Sequence, residues 1–149
     1  MNQEFNLKAI GVIHSPFINP EDAPRQGRLV AQTAQLEIFP EYQAGLKDID
    51  GISHLIVLYW CDRADRNVLQ TITRFGPEEK GVFACRSPGR PNPIAFCVAQ
   101  ILDLKDNILL VQGVDALDNS PLLDLKPYSS CLDSIEGVGL AWMNKDATQ

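Results

Sequence analysis

Short β-patterned segments follow one another along this chain with little room for helices between them. Leu7 to Ile13 carries β-branched side chains and stops at the break Ser15-Pro16. Gln35-Leu36-Glu37-Ile38-Phe39 alternates polar and apolar residues, the mark of a half-buried strand. Ser53 to Cys61 is apolar almost throughout and reads as a strand buried on both faces. Gly81 to Cys85 reads as a further short strand. Ile94 to Leu104 is ambiguous by period alone, but Asp106-Asn107 sets it off from Ile108 to Val114 as a hairpin would. Leu122 to Leu125 closes the series. Pro40 to Lys47 suits a short helix with Pro40 in its first turn, and Asn67 to Phe75 reads as helix or loop. The connections are too short for repeated βαβ crossovers. The expectation is a mainly β fold with an antiparallel or mixed sheet that curls into a barrel or sandwich to dispose of its edges.

A length of 149 residues suits one domain, and 45% hydrophobic with 21% charged residues excludes a disordered or fibrous chain. The net charge is −6, from 13 basic and 19 acidic residues, which is not the footprint of a general nucleic-acid coat. A local basic site stays compatible with it. The run Leu55 to Cys61 is too short to span a bilayer, and no basic-then-apolar leader follows Met1, so neither a membrane span nor a signal peptide is expected. Cys61, Cys85, Cys97 and Cys131 form no C-x-x-C, and His14 and His54 lie far apart, so no metal site is expected. Cys61 and Cys97 sit in apolar runs and read as small buried hydrophobes. The cysteine usage suits free thiols in a reducing cytoplasm. No internal repeat is visible, and the polar end, Asn144 to Gln149, is expected to fray.

No G-x-G-x-x-G and no Walker-type loop is present, and Gly137-Val138-Gly139 reads as a plain loop. The unusual stretch is Arg86-Ser87-Pro88-Gly89-Arg90-Pro91-Asn92-Pro93-Ile94. Its prolines stiffen a loop between two strands, so its arginines lose little entropy on binding a carboxylate or phosphate. Equally, those arginines suit pairing with nearby acids in a rigid turn. Pro24-Arg25-Gln26-Gly27-Arg28 repeats the combination more weakly and reads first as a surface loop. Asp115-Ala116-Leu117-Asp118-Asn119-Ser120-Pro121 offers acids for an ammonium or ribose hydroxyls, or else an Asx turn satisfied by its own backbone. Asp124-Leu125-Lys126-Pro127-Tyr128 places a cation beside a phenol, a pair that contacts phosphate and stacks a base where it is not simply a solvated strand end.

Taken in order, these stretches resemble the TrmO-type family, also called the TsaA-like domain. The resemblance is carried by Ile10-Gly11-Val12-Ile13-His14-Ser15-Pro16, Pro24-Arg25-Gln26-Gly27, Ser53-His54-Leu55-Ile56-Val57-Leu58 and Gly81-Val82-Phe83-Ala84. It continues through Arg86-Ser87-Pro88, Arg90-Pro91-Asn92-Pro93-Ile94, Asp115-Ala116-Leu117-Asp118 and Leu123-Asp124-Leu125-Lys126-Pro127-Tyr128, and so covers the chain to about Asp133. Such a family membership implies a single-sheet β-barrel of non-Rossmann type with short helices, forming a homodimer. It implies one domain over residues 1–149, with a poorly defined tail from about residue 134 and without the C-terminal tRNA-holding domain of longer members.

The activity implied is S-adenosylmethionine-dependent N-methylation of N6-threonylcarbamoyladenosine beside the anticodon of tRNA. A same-fold methyltransferase acting on a small molecule, and a non-catalytic S-adenosylmethionine-binding regulatory module, are the alternatives. Matching positions for the methyl donor are Pro24, Arg25, Gln26, Asp62, Arg63, Arg86, Phe96, Asp115, Ala116, Leu117 and Asp118. An arginine suits the donor's carboxylate, acids suit its cations, and Phe96 suits its apolar surface. Substrate contacts fall on Arg28, Arg90, Asn92, Lys126 and Tyr128. Tyr128, Lys126 and Asp118 are the candidates for a general base, and each suits a binding role as well. Three departures stand out: Cys85 in place of a common Thr, Ala95-Phe96 in place of Gly followed by Leu or Met, and Asn119-Ser120 in place of Gly-Thr. The second of these is expected to add bulk beside the donor pocket. With an acidic chain, tRNA binding would rest on a local patch of Arg25, Arg28, Arg86, Arg90 and Lys126, doubled by dimerisation.

Overall fold

A computed structural model describes residues 2–24 and 31–139. The chain divides into two compact units, Met1–Asp62 with Ile94–Tyr128, and Arg63–Pro93 with Ser129–Gln149.

The first unit is a closed barrel of six strands, as the mainly β reading anticipates. Around the ring run β1 (Gly11–His14), β2 (Thr33–Ile38), β7 (Ile108–Gln112), β6 (Ile94–Lys105), β3 (His54–Trp60) and β8 (Ser120–Pro127), and β8 returns to β1. Every pairing in the ring is antiparallel. Period-two patterning sends one set of side chains inward. Ala34, Leu36 and Ile38 of β2, Leu55, Val57 and Tyr59 of β3, Cys97 and Ala99 of β6, and Leu109 and Val111 of β7 are all buried in one cluster. Burial of each large aliphatic side chain is worth about 1.5–3 kcal/mol. One end of the barrel is capped by the 3-10 helix Pro40–Leu46 and by Ile49–Gly51, which bury Leu46 and Ile49.

β3 corrects one expectation. Its inner residues are buried, but Ile56, Leu58 and Trp60 on the outer face are only half-buried. The run is continuous because the outer face is also apolar, not because both faces are sealed. β6 follows the hairpin expectation, and the turn Asp106-Asn107 has Asp106 at φ 55, a conformation Asp tolerates better than most residues. β1 begins at Gly11 rather than Leu7, with Ile10 reaching the ladder through its amide to the Leu122 carbonyl at 2.8 Å. Gly11 lies between Ile38 of β2 and Leu122 of β8, and a Cβ there would collide with the Glu37 carbonyl.

The second unit holds β4 (Gln70–Ile72) and β5 (Glu79–Gly81), paired antiparallel, and the short helix α1 (Ser130–Asp133). Thus the stretch expected as helix or loop contains a strand, too short to show a period. The expected strand Gly81 to Cys85 instead leaves β5 and turns as a 3-10 helix, Val82–Ala84. The reason lies on the proline-rich loop: the Arg90 guanidinium donates to the carbonyls of Val82 and Cys85, which therefore need no ladder partner.

Candidate functional site

At the end of β7, Gly113 adopts φ 108 and turns the chain into the segment 114–119. Val114 and Ala116 are buried in the core, and this anchors the residues between and beyond them. The turn is stitched to the exit of β1. Ser15 donates its amide to Asp118 Oδ1 at 3.0 Å and its hydroxyl to the Ala116 carbonyl at 2.6 Å. The Asp118 amide donates to the Phe17 carbonyl at 2.7 Å, and the Asn119 amide to the Ile13 carbonyl at 2.8 Å. Asp118 Oδ2 accepts from Asn119 Nδ2 at 3.3 Å, so both carboxylate oxygens help hold the turn.

Asn119-Ser120 fits this geometry. Asn119 sits at φ 67, where Gly is favoured and Asn is the best tolerated alternative. Ser120 is buried, and its hydroxyl donates to the Leu117 carbonyl at 2.7 Å, the bond a Thr hydroxyl would also make. The departure from the family pattern therefore preserves the turn's backbone.

Asp115 is half-buried and turned toward the barrel interior. Its Oδ1 accepts two hydrogen bonds, from the Tyr59 hydroxyl at 2.8 Å and from the Cys97 thiol at 2.9 Å. Tyr59 and Cys97 are 6% and 4% exposed, so both are inner-face residues. β3 and β6 pair Val57 with Cys97 and Tyr59 with Ala95, which makes Tyr59 and Cys97 diagonal neighbours on one face. Burial, and then the Asp115 charge, raise the ionisation of both groups far above their ordinary range, so both stay neutral donors. Neither residue stands out in the sequence. The available signal is a single phenol and a single thiol at matched inward positions of two apolar strands, and only the register brings them together. Ser15, read as a strand break, is equally a part of the turn.

The remaining expected positions fall as follows. Arg25, Gln26 and Arg28 lie outside the described residues, and Pro24 is half-buried just before them. Phe96 is 47% exposed on the outer face of β6, opposite to Cys97 and paired across to Leu58. Ala95 packs against the core. Asp62 is exposed just after β3, with its amide on the Trp60 carbonyl at 3.0 Å. Lys126 and Tyr128 lie at the far end of β8 from Asp118. At about 3.3 Å per residue that strand spans roughly 25 Å. Lys126 pairs with Asp124 at 3.0 Å, and the Tyr128 amide donates to the His54 carbonyl at 3.0 Å. A largely apolar cavity of about 390 Å³ also lies at that end, beneath the Pro40–Leu46 helix, and none of the donor positions lines it.

In the second unit, Arg63 and Arg86 are exposed, and Arg90 is half-buried and clamps its own loop. Asn92 Oδ1 accepts from Arg66 Nη2 at 3.3 Å, and Arg66 Nε donates to the Pro91 carbonyl at 2.8 Å. Cys85 directs its thiol at the Gly81 carbonyl and the Ser87 hydroxyl, both at 3.6 Å, contacts a Thr hydroxyl would also favour. Among the described residues no group of His, Cys, Asp and Glu is placed to hold a metal ion, and no helix is long and apolar enough to cross a membrane.

The tRNA-methyltransferase O N-terminal domain family matches residues 12–134. The chain belongs to that family. Two relatives in Archaeoglobus fulgidus are 49% and 48% identical to it and are described as a probable S-adenosyl-L-methionine-binding protein and an S-adenosyl-L-methionine-binding protein. The matches cover 93% and 88% of this chain, but 38% of the first relative and 96% of the second. The Escherichia coli tRNA (adenine(37)-N6)-methyltransferase is 30% identical over 93% of this chain and 63% of its own length. Among solved structures, TrmO from Pseudomonas aeruginosa superposes with a TM-score of 0.82 at 27% identity, over 95% of this chain and 63% of that one. This TrmO-family chain thus spans well under half of the first of these relatives and about two thirds of the solved TrmO chain.

Proposed function

We propose that this chain is an S-adenosylmethionine-dependent N-methyltransferase that acts on N6-threonylcarbamoyladenosine beside the anticodon of tRNA. The observation that carries the donor half is the Asp115–Asp118 turn. It presents a half-buried carboxylate bonded to two neutral donors, with no cationic partner among the described residues. Such a group favours a cation or hydroxyl donors, and S-adenosylmethionine brings an ammonium, a sulfonium and ribose hydroxyls. When bound, S-adenosylmethionine supplies a methyl group on a positively charged sulfur.

The turn's tie to β1 holds its backbone and carboxylates at fixed positions, which is where the rate of a displacement at carbon is gained. Arg86, on its proline-stiffened loop, suits the donor carboxylate. Asp118 spends both oxygens on the turn, so its part is to keep the turn's shape. Lys126 and Tyr128, a strand's length away, suit the RNA: a cation for phosphate and a ring for a base. Arg28, Arg90 and Asn92 are assigned to the same partner.

The exposed apolar residues Ile94 and Phe96 on the outer face of β6 suit the self-association expected of the family, so we take the working form as a homodimer, and the free thiols of Cys61, Cys85, Cys97 and Cys131 suit a reducing cytoplasm. A second reading, an S-adenosylmethionine-binding module without catalysis, draws on the names of the Archaeoglobus relatives and on the acidic net charge of −6.

Two measurements test the proposal. Calorimetric titration with S-adenosylmethionine and S-adenosylhomocysteine is expected to give binding of both. Methyl transfer from labelled donor is then expected to tRNA that carries the threonylcarbamoyl group and not to the same tRNA without it. Binding without transfer to any tRNA would favour the binding module, and no binding by folded protein would end the donor assignment.

A further inference from the structure

We infer that Tyr59 and Cys97 are positioning residues for the donor site: together they fix the Asp115 carboxylate with one oxygen committed to the barrel and the other presented to the ligand. This rests on the donor reading above and deepens it.

Three observations meet here. First, both donors converge on the same atom, Oδ1, from two neighbouring strands, at 2.8 and 2.9 Å. A carboxylate held at one oxygen by two groups has little freedom to rotate, so the position of Oδ2 follows from the register of β3 and β6. Second, both donors are neutral. Burial is the largest cause that keeps the phenol and the thiol protonated, and the Asp115 charge adds to it. They orient the carboxylate without cancelling its charge, whereas an Arg or Lys in either place would leave less field for a ligand cation. Third, Tyr59 and Cys97 are nearly sealed from solvent while Asp115 is half-buried. The carboxylate therefore bridges the dry core and the accessible turn, with the anchoring side inside.

A purely packing role is the alternative. Tyr59 fills core volume, and Cys97 is a small inward residue among Val57 and Ala99. The two roles separate by chemistry: Cys97→Ser keeps a donor at nearly the same size, and Cys97→Ala removes it.

The test is calorimetric titration of S-adenosylmethionine and S-adenosylhomocysteine into the full chain and into Tyr59→Phe, Cys97→Ala, Cys97→Ser, Asp115→Asn and Tyr59→Phe/Asp115→Asn, with thermal unfolding recorded for each. Loss of one donor to a charged acceptor is expected to weaken donor binding by about tenfold in Tyr59→Phe and Cys97→Ala. Cys97→Ser is expected to retain wild-type affinity. In the double variant, Tyr59→Phe is expected to add nothing once Asp115 is neutral. Wild-type affinity in a folded Tyr59→Phe, or equal losses in Cys97→Ser and Cys97→Ala, would overturn the positioning role while leaving the donor site standing. Absence of binding by the wild-type chain would instead overturn the donor reading and this inference with it.

Discussion

At the scale of single residues, the Asp115 cluster gives this chain a titration behaviour that its composition does not. Tyr59 and Cys97 have ionisation raised above ordinary values of 10.0 and 9.0 in the fold. Unfolded, each loses its proton near the ordinary value; folded, each keeps it to higher pH. The stabilisation is therefore complete below pH 9.0, the ordinary thiol value, and drains away as pH climbs beyond it. Thermal midpoints measured from pH 7 to 11 are expected to decline at the alkaline end, and to decline less steeply in Cys97→Ser, which does not titrate there. An identical slope in that variant would show that other groups dominate.

Arg86 belongs to the same scale. Removing its guanidinium in Arg86→Ala is expected to weaken donor binding by about 1.5–3 kcal/mol, the range for a charged hydrogen bond, as read by titration of the folded variant. How much of this was legible in the sequence differs from residue to residue. Asp115 and Asp118 stood out through the turn they share, and Arg86 through its prolines. Tyr59 and Cys97 did not, because what makes them functional is a diagonal across β3 and β6, and a register is not written in either strand alone.

The elements show where patterning suffices and where it fails. β2 alternates polar and apolar residues and was readable from its own pattern, whereas β6, ambiguous by period, and β7, apolar from Ile108 to Val111, were readable only as a hairpin through Asp106-Asn107. β4 is three residues long, shorter than any period can reveal. Residues 82–84 are apolar enough for a strand and yet turn, because Arg90, eight and five residues downstream, takes the carbonyls of Val82 and Cys85 at the two ends of that turn. At β1 the determining residue is the smallest. Gly11 leaves no space for a Cβ beside the Glu37 carbonyl, so Gly11→Ala must push β1 and β2 apart. A loss of roughly 2–3 kcal/mol in unfolding free energy is expected from denaturant titration, in the range for overpacking a closed site. A loss under half that size would mean that the barrel relaxes there at little cost.

For the whole molecule, the proposed function sets the donor at the turn 115–118 and the RNA at the end of β8, about a strand's length away. Lys126→Ala is expected to lower methyl transfer to tRNA and to flatten its salt dependence, while donor affinity stays within about twofold. Filter binding against salt concentration, alongside calorimetry, reads both; a large fall in donor affinity would place Lys126 at the donor instead. A mainly β fold that curls into a barrel or sandwich was foreseeable from strand density and short connections, and the family resemblance alone singled out the barrel. The division into two compact units was not, since no shift in composition marks residue 63 or residue 93.

Closure of the barrel also sets a timetable for its making. The ring shuts only when β1 meets β8, in a register that sets Gly11 beside Leu122. On the ribosome, where chains emerge from the N-terminus at about 5–20 residues per second, β1 is exposed for several seconds before its last neighbour exists. Throughout that interval the first strand has an open edge, and β2 waits likewise for β7. The nascent chain is therefore most vulnerable to mispairing during synthesis, and the finished protein, with no free edge left in its ring, is the least so.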